Sequence, residues 1–273
     1  MGGLAGVLLI NPAIAAIQIN GAALIPGRGG VFGVLMVAGL MAWMEQRIRR
    51  YVPQSVDVIV TPTITLLVGG IATYYVLQPI SGLLSDGVVH LFRTALSSGG
   101  FFAGALLAGT FLPLVMTGLH QGLTPIHMEF LNTLHVNPLL PILAMAGAGQ
   151  VGASLAVFWK TKNRKLRQLV KGALPVGFLG IGEPLIFGVT LPLGRPFVTA
   201  CLGASAGGAY LAYMQVQSIA MGISGLPLAF LIRGDQIGHY LVGLCIAYAA
   251  GFLITWGVGF EDPPEEIDGG KSQ

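Results

Sequence analysis

Charge is what this 273-residue chain has least of: 14 Lys or Arg and 11 Asp or Glu make up 9% of it, where an ordinary soluble domain carries about 25%. A soluble monomer, which needs a charged surface, is excluded. Cysteine is almost missing. Cys201 and Cys245 lie in apolar stretches far apart in sequence, which leaves neither a disulfide framework nor a metal knuckle. There is no basic n-region and no cleavage site near the start, so Met1 to Ile25, broken by Asn11-Pro12, Gln18 and Asn20, does not read as a signal peptide. No Walker loop occurs, and neither nucleotide-driven nor serine-hydrolase chemistry is expected.

What the chain does have is apolar length. Hydrophobic residues make up 54%, with 41 Gly and 16 Pro, and mean hydropathy is +0.78. Uncharged apolar stretches follow one another from Gly2 to Phe260, the composition of an all-α polytopic membrane protein. At about 20 residues per crossing, at most about eight or nine crossings fit. The net charge of +3 hides a partition: five acids, Glu261, Asp262, Glu265, Glu266 and Asp268, crowd the tail. Six bases lie between Lys160 and Lys171, and Arg47, Arg49 and Arg50 form a second group. Both groups fit cytoplasmic loops under the positive-inside rule, so nucleic acid is not an expected partner.

Residues 31–44 predict a helix ended by Glu45 and the arginines, and 58–77 a span ended by Gln78-Pro79, with Asp86-Gly87 as the next turn and Ser97-Ser98-Gly99-Gly100 as a break. Residues 117–137 mix Gly118, His120, Gln121, Pro125, His127, Glu129 and His135 among apolar residues. That is too polar for a lipid-facing helix and too apolar for a wet loop, as a re-entrant hairpin would be, because irregular backbone at membrane depth needs protein or a watery cavity around it. A second such stretch covers 172–197, after the basic loop. Spans are expected over 138–158 and 237–260, with a small-residue helix over 199–214, a short segment over 219–232 and a disordered acidic tail over 261–273.

Glu183 is the only acid between Glu129 and Asp235. A carboxylate in apolar surroundings is costly and points to a substrate or ion path, although it could also bond backbone amides freed by Pro184. His120 lies two residues after Gly118, which lets backbone approach a ligand, and its imidazole can donate or accept, or it is a satisfied core histidine. His127, Glu129 and His135 lack the spacing of a zinc motif, so no metal is expected. Arg28 and Arg195 lie in Gly- and Pro-rich turns and suit lipid headgroups, phosphate or helix ends.

Thr117-Gly118-Leu119-His120-Gln121 together with residues 180–197, Gly-Ile-Gly-Glu-Pro-Leu-Ile-Phe-Gly-Val-Thr-Leu-Pro-Leu-Gly-Arg-Pro-Phe, resembles the enzyme IIC membrane component of bacterial sugar phosphotransferase systems, glucose superfamily. The second block looks like that family's Gly-Ile-Thr-Glu-Pro motif with Gly182 in place of threonine. The likeness covers about residues 10–260. It implies a homodimeric multi-pass permease of the bacterial inner membrane, without cofactor, that presents a sugar to an enzyme IIB phosphocysteine charged through IIA and HPr. It further implies that Glu183 acts as general base and that His120, Gln121, Thr117, Gly118, Gly182 and Glu183 bind the sugar. A scaffold would occupy 1–87 and an elevator-type transport domain 88–260.

Leu112 stands where the glucose-type branch has arginine, and the variant motifs are similar to the sucrose, trehalose and N-acetylmuramic acid group. The lactyl carboxylate of N-acetylmuramic acid would then want Arg28 or Arg195 within reach. The resemblance also implies further segments before Gly2, so the chain looks N-terminally short. The alternatives are a proton-coupled secondary transporter using Glu183 or Glu129, and an inactive truncated permease.

Overall fold

Apolar runs punctuated by glycine and proline fold as helices almost throughout the residues that the computed structural model describes, 17–19, 22–24 and 30–264. The exception to the all-α expectation is a small antiparallel hairpin, β1 (Ile17–Ile19) with β2 (Ala22–Leu24), in register Ile17 to Leu24. The chain divides into two units, Met1–Arg93 and Thr94–Gln273. Among the described residues, four helical stretches are long and apolar enough to cross a membrane: Asp57–Leu96, Gly99–Met116, Leu139–Lys160 and Gly234–Val258.

In the first unit, α1 (Gly30–Ile48) packs Val37 and Met41 against Leu66 and Leu77. The approach to α2 (Asp57–Ala72) is close, since a Cβ on Gly69 would sit 2.8 Å from the Met41 methyl. Arg49, of the second basic group, is not a free loop charge: it pairs with Glu45 at 2.9 Å and with Asp57 at 3.4 Å. The turn expected at Gln78-Pro79 is absent. A π-helical turn, Thr73–Leu77, leads straight into α3 (Gln78–Met116). Proline cannot donate to the helix and its ring crowds the carbonyl four residues back; a widened turn relieves that clash. The turn expected at Asp86-Gly87 is likewise replaced by helix, a lone glycine being too weak a breaker in an apolar segment. The break at 97–100 is there, as non-helical backbone at Gly99 (φ −117°, ψ 19°).

The second unit is built on α5 (Leu139–Lys160), which is buried over 83% of its apolar window, where Gly99–Met116 and Gly234–Val258 are buried over only 17% and 28%. Around it lie α7 (Arg195–Tyr213) and α8 (Ile237–Val258). Gly149, Gly203 and Gly251 meet where the three helices come together. A Cβ on Gly149 would run into the Ala200 carbonyl, one on Gly251 into the Gly149 carbonyl, and one on Gly203 would lie 2.6 Å from the Gly251 Cα. In lipid, where apolar burial gives no net drive, such backbone approach is the main source of packing energy.

The start of α5 is fixed by Asn137, fully buried, whose Oδ1 accepts from the Leu139 and Leu140 amides at 3.0 Å each. Asn137 also exchanges backbone hydrogen bonds with Ser218 at 2.8 and 3.0 Å, which ties α4 (Thr124–Leu134) to the segment after α7. Residues 219–232, expected as a short segment, form turns and a 3-10 stretch, Leu226–Leu231.

The basic run is not a loop. After Thr161-Lys162-Asn163 it becomes α6 (Arg164–Phe178), N-capped by Asn163, which accepts from Leu166 N at 3.0 Å. Val170, Ala173, Leu174 and Gly177 are buried on one face, while Arg164, Lys165, Arg167 and Lys171 stay exposed. The second irregular stretch therefore begins after Phe178. The tail expected as disordered is held where it is described: Asp262 accepts from the Thr161 hydroxyl at 2.5 Å and the Lys162 amide at 2.6 Å, and Asn163 Nδ2 donates to the Pro263 carbonyl at 3.1 Å. Residues 265–273 lie outside the described residues.

Three substitutions test this framework by thermal unfolding of the detergent-solubilised chain. Gly251→Val, forced against the Gly149 carbonyl, is expected to destabilise by about 3 kcal/mol, whereas Gly257→Ala on the same helix, with open space around it, leaves stability unchanged. Asn137→Ala removes the acceptor for two buried amides and is expected to cost about 2 kcal/mol.

Candidate functional site

Both irregular stretches exist because glycine and proline interrupt them. At the first, α3 ends at Met116, Gly118 adopts φ +76°, and a 3-10 turn, Leu119–Leu123, carries His120 before α4 begins. At the second, α6 ends at Phe178 and Gly180 adopts φ +91°. A Cβ on Gly180 would collide with the Ser224 carbonyl, so the glycine at this turn is a packing requirement. Gly182 then precedes a single helical turn, Glu183–Leu185, and a π-helical turn, Ile186–Thr190.

The two stretches face one cavity of about 210 Å³ in the second unit, lined by His120, His127, Gln150, Gly182, Glu183 and Ser224 among apolar residues that include Phe111 and Leu112. It is small beside the roughly 300–1,000 Å³ of drug-sized pockets. Its polar groups divide by hydrogen-bonding sense. Gln121 Nε2 lies 3.2 Å from His120 Nε2; with the amide nitrogen donating, that ring nitrogen accepts and the proton resides on Nδ1. His120 Nδ1 is buried with no partner among the described residues, and the ring is held edge-on to Phe111, with centroids 6.1 Å apart. His127 is oriented in turn by Asn137: the amide oxygen being taken by two backbone amides, Nδ2 donates to His127 Nδ1 at 3.0 Å, which leaves Nε2–H as the donor. Opposite in sense stand the exposed Glu183 carboxylate, at the start of its helical turn, and the Gln150 amide.

Of the residues expected to bind the sugar, His120, Gly182 and Glu183 share this cavity. Thr117, Gly118 and Gln121 flank His120 without lining it, Thr117 bonding back to the Pro113 and Leu114 carbonyls at 3.2 and 3.1 Å. Arg195 opens α7, exposed and outside the lining, and Arg28 lies outside the described residues. His127, Glu129 and His135 do not converge: Glu129 accepts from Thr133 at 2.9 Å and His135 caps α4 with φ +58°. Among the described residues no three His, Cys, Asp or Glu side chains assemble a metal set. Two glycine patterns fall inside helices, Gly147-Ala148-Gly149-Gln150-Val151-Gly152 in α5 and Gly203-Ala204-Ser205-Ala206-Gly207 in α7. Neither sits at the strand-to-helix turn that phosphate binding or a nucleophile elbow requires.

Sequence reasoning missed His127 as a cavity group and missed Gln150 and Ser224 altogether. Gln150 had a signal: with Ser154 it is one of two uncharged polar side chains in the whole of α5. A buried amide in an apolar span wants a reason, since leaving one of its polar atoms unpaired costs about 1–3 kcal/mol.

Residues 2–204 match the family described as phosphotransferase system, EIIC. The chain is 60% identical over 262 residues to the PTS system EIIBC component YbbF of Bacillus subtilis (strain 168), covering 96% of this chain and 58% of that protein. It is 50% identical over 242 residues to the PTS system MurNAc-GlcNAc-specific EIIBC component of Staphylococcus haemolyticus (strain JCSC1435), covering 88% and 51%. To the component of the same name in Staphylococcus aureus (strain COL) it is 47% identical over 275 residues, covering 98% and 57%. It thus spans between 51 and 58% of the length of these relatives. No solved structure matches it. With the family matched over most of its length and its apolar helices long enough to span a bilayer, the chain belongs to the EIIC family of the phosphotransferase system, a family of polytopic helical membrane proteins.

Proposed function

We propose that this chain forms the sugar-binding and translocating part of a phosphoenolpyruvate-dependent phosphotransferase system in a bacterial plasma membrane. The observation that carries the proposal is the cavity itself, where the His120 turn and the Gly182-Glu183 turn face each other with unpaired donor and acceptor groups. Such a pattern suits vicinal oxygens, which donate and accept at once. In this reading His120 Nδ1–H donates to a sugar oxygen and Glu183 accepts the proton of the hydroxyl that attacks the phosphorus of an EIIB phosphocysteine, the thiolate leaving. A positioned carboxylate of this kind contributes about 10²–10⁴ in rate. Thr117, Gly118 and Gln121 hold the histidine turn.

The names of the relatives at 47–50% identity favour a sugar built from N-acetylmuramic acid and N-acetylglucosamine, such as the disaccharide. The partners are EIIB, through it EIIA and HPr, the lipid bilayer and a second copy of the chain. The division of the chain after Arg93 supports a scaffold over 1–87 and a moving transport domain over 88–260, with 117–137 and 172–197 as its re-entrant segments. Arg195, away from the cavity lining, is better placed for a headgroup than for a lactyl carboxylate.

The test is uptake of radiolabelled N-acetylmuramyl-N-acetylglucosamine, with sucrose and trehalose as comparators, in cells lacking their own permeases and supplied with EIIA and EIIB. Accumulation of the phosphorylated disaccharide is expected, and Glu183→Gln is expected to lower it by about 100-fold or more. Free sugar that follows the proton gradient would overturn the reading in favour of a secondary transporter.

A further inference from the structure

Gln150 is fully buried at the middle of the most enclosed helix, yet its side chain lines the cavity. Its orientation is fixed by chemistry. Nε2 lies 3.2 Å from the Gly182 carbonyl oxygen, which only accepts, so the NH₂ faces Gly182 and the amide oxygen must point elsewhere. That oxygen is buried with no hydrogen-bond partner among the described residues, and the Ser154 hydroxyl one turn along does not reach it. A Cβ on Gly182 would come within 2.8 Å of it, so the glycine next to Glu183 leaves room for the amide. His120 Nδ1 on the same cavity is also without a partner. Two residues that line one small space thus each carry an unpartnered polar atom, an acceptor on Gln150 and a ring nitrogen on His120.

From this geometry we infer that Gln150 is a specificity-determining residue: its Oε1 accepts a hydrogen bond from the N–H of a 2-acetamido group on the bound sugar. An amide N–H donates and cannot accept, which matches an oxygen locked as an acceptor. An ester or ether oxygen at the same place would set two acceptors against each other. Discrimination of this kind is strong because the wrong ligand leaves a buried polar atom unpaired. The inference rests on the sugar-binding reading of the cavity, and its test separates the two.

Binding is measured by isothermal titration calorimetry to the purified full chain in nanodiscs, using N-acetylmuramyl-N-acetylglucosamine and the same disaccharide with each acetamido group replaced by acetoxy. The unsubstituted chain is expected to prefer the amide about tenfold. Gln150→Met, similar in length and without the acceptor, is expected to bring the two ligands within about twofold by weakening the amide alone. Should that variant fail to fold, Gln150→Asn, which withdraws the oxygen by one methylene, is read in the same way. Equal binding of amide and ester by the unsubstituted chain, or a preference that survives at position 150, overturns the role of Gln150 and leaves the sugar site standing. Binding of neither disaccharide by the unsubstituted chain overturns the sugar site and this inference with it.

Discussion

Backbone-to-backbone contact between α5, α7 and α8 sets the conditions for everything at the cavity. Gly149, Gly203 and Gly251 let carbonyl and Cα atoms of the three helices touch, and the enclosed helix that results leaves no room for water along most of its length. Two consequences follow from that dryness. The platform is rigid, because helices in contact through their backbones have no side-chain layer to deform. Any polar group carried into it must also be satisfied by protein or by a ligand, since water is not there to do it. Gln150, the residue after Gly149, is the place where the second consequence bears on the site.

The same constraint explains how irregular chain survives beside buried helices. The interruptions after α6 and after α7 free backbone carbonyls, and a side chain from a different segment answers three of them: Gln150 takes the Gly182 carbonyl at 3.2 Å, Ser224 that of Gly180 at 2.9 Å, and Tyr240 that of Gly225 at 2.7 Å. The turns are therefore held from outside, by residues far away in sequence, and the cavity lies where the holding stops. Glu183 keeps unspent hydrogen-bonding capacity there because the carbonyls of its turn are already secured by others.

How much of this was legible in the sequence depended on whether the signal was local. Apolar length announced the spans over 139–160 and 237–258, and the run of glycines and serines announced the break at Gly99, since these are properties of neighbouring residues. Motif chemistry singled out His120, Gly182 and Glu183, and these three line one cavity. The basic run misled because its charges were weighed and its periodicity was not: Val170, Ala173, Leu174 and Gly177 mark the buried face of a helix, which a count of lysines and arginines conceals. Asp262 misled in a different way. An acidic, proline-rich tail reads as disorder by composition, but one carboxylate finds the hydroxyl of Thr161 and the amide of Lys162, a meeting that only the fold arranges.

Gly182 shows why residue-by-residue comparison with a motif falls short at such a site. In the sequence it stands as a loss, a hydroxyl-bearing residue of the related motif exchanged for hydrogen. In space the vacated volume lies against the amide oxygen of Gln150, 32 positions earlier. The polar function beside Glu183 is thus carried on a buried helix that cannot bend toward the ligand, where a side chain on the turn itself would move with it. An acceptor so fixed discriminates by what it cannot do, because it can neither rotate to donate nor retreat into water.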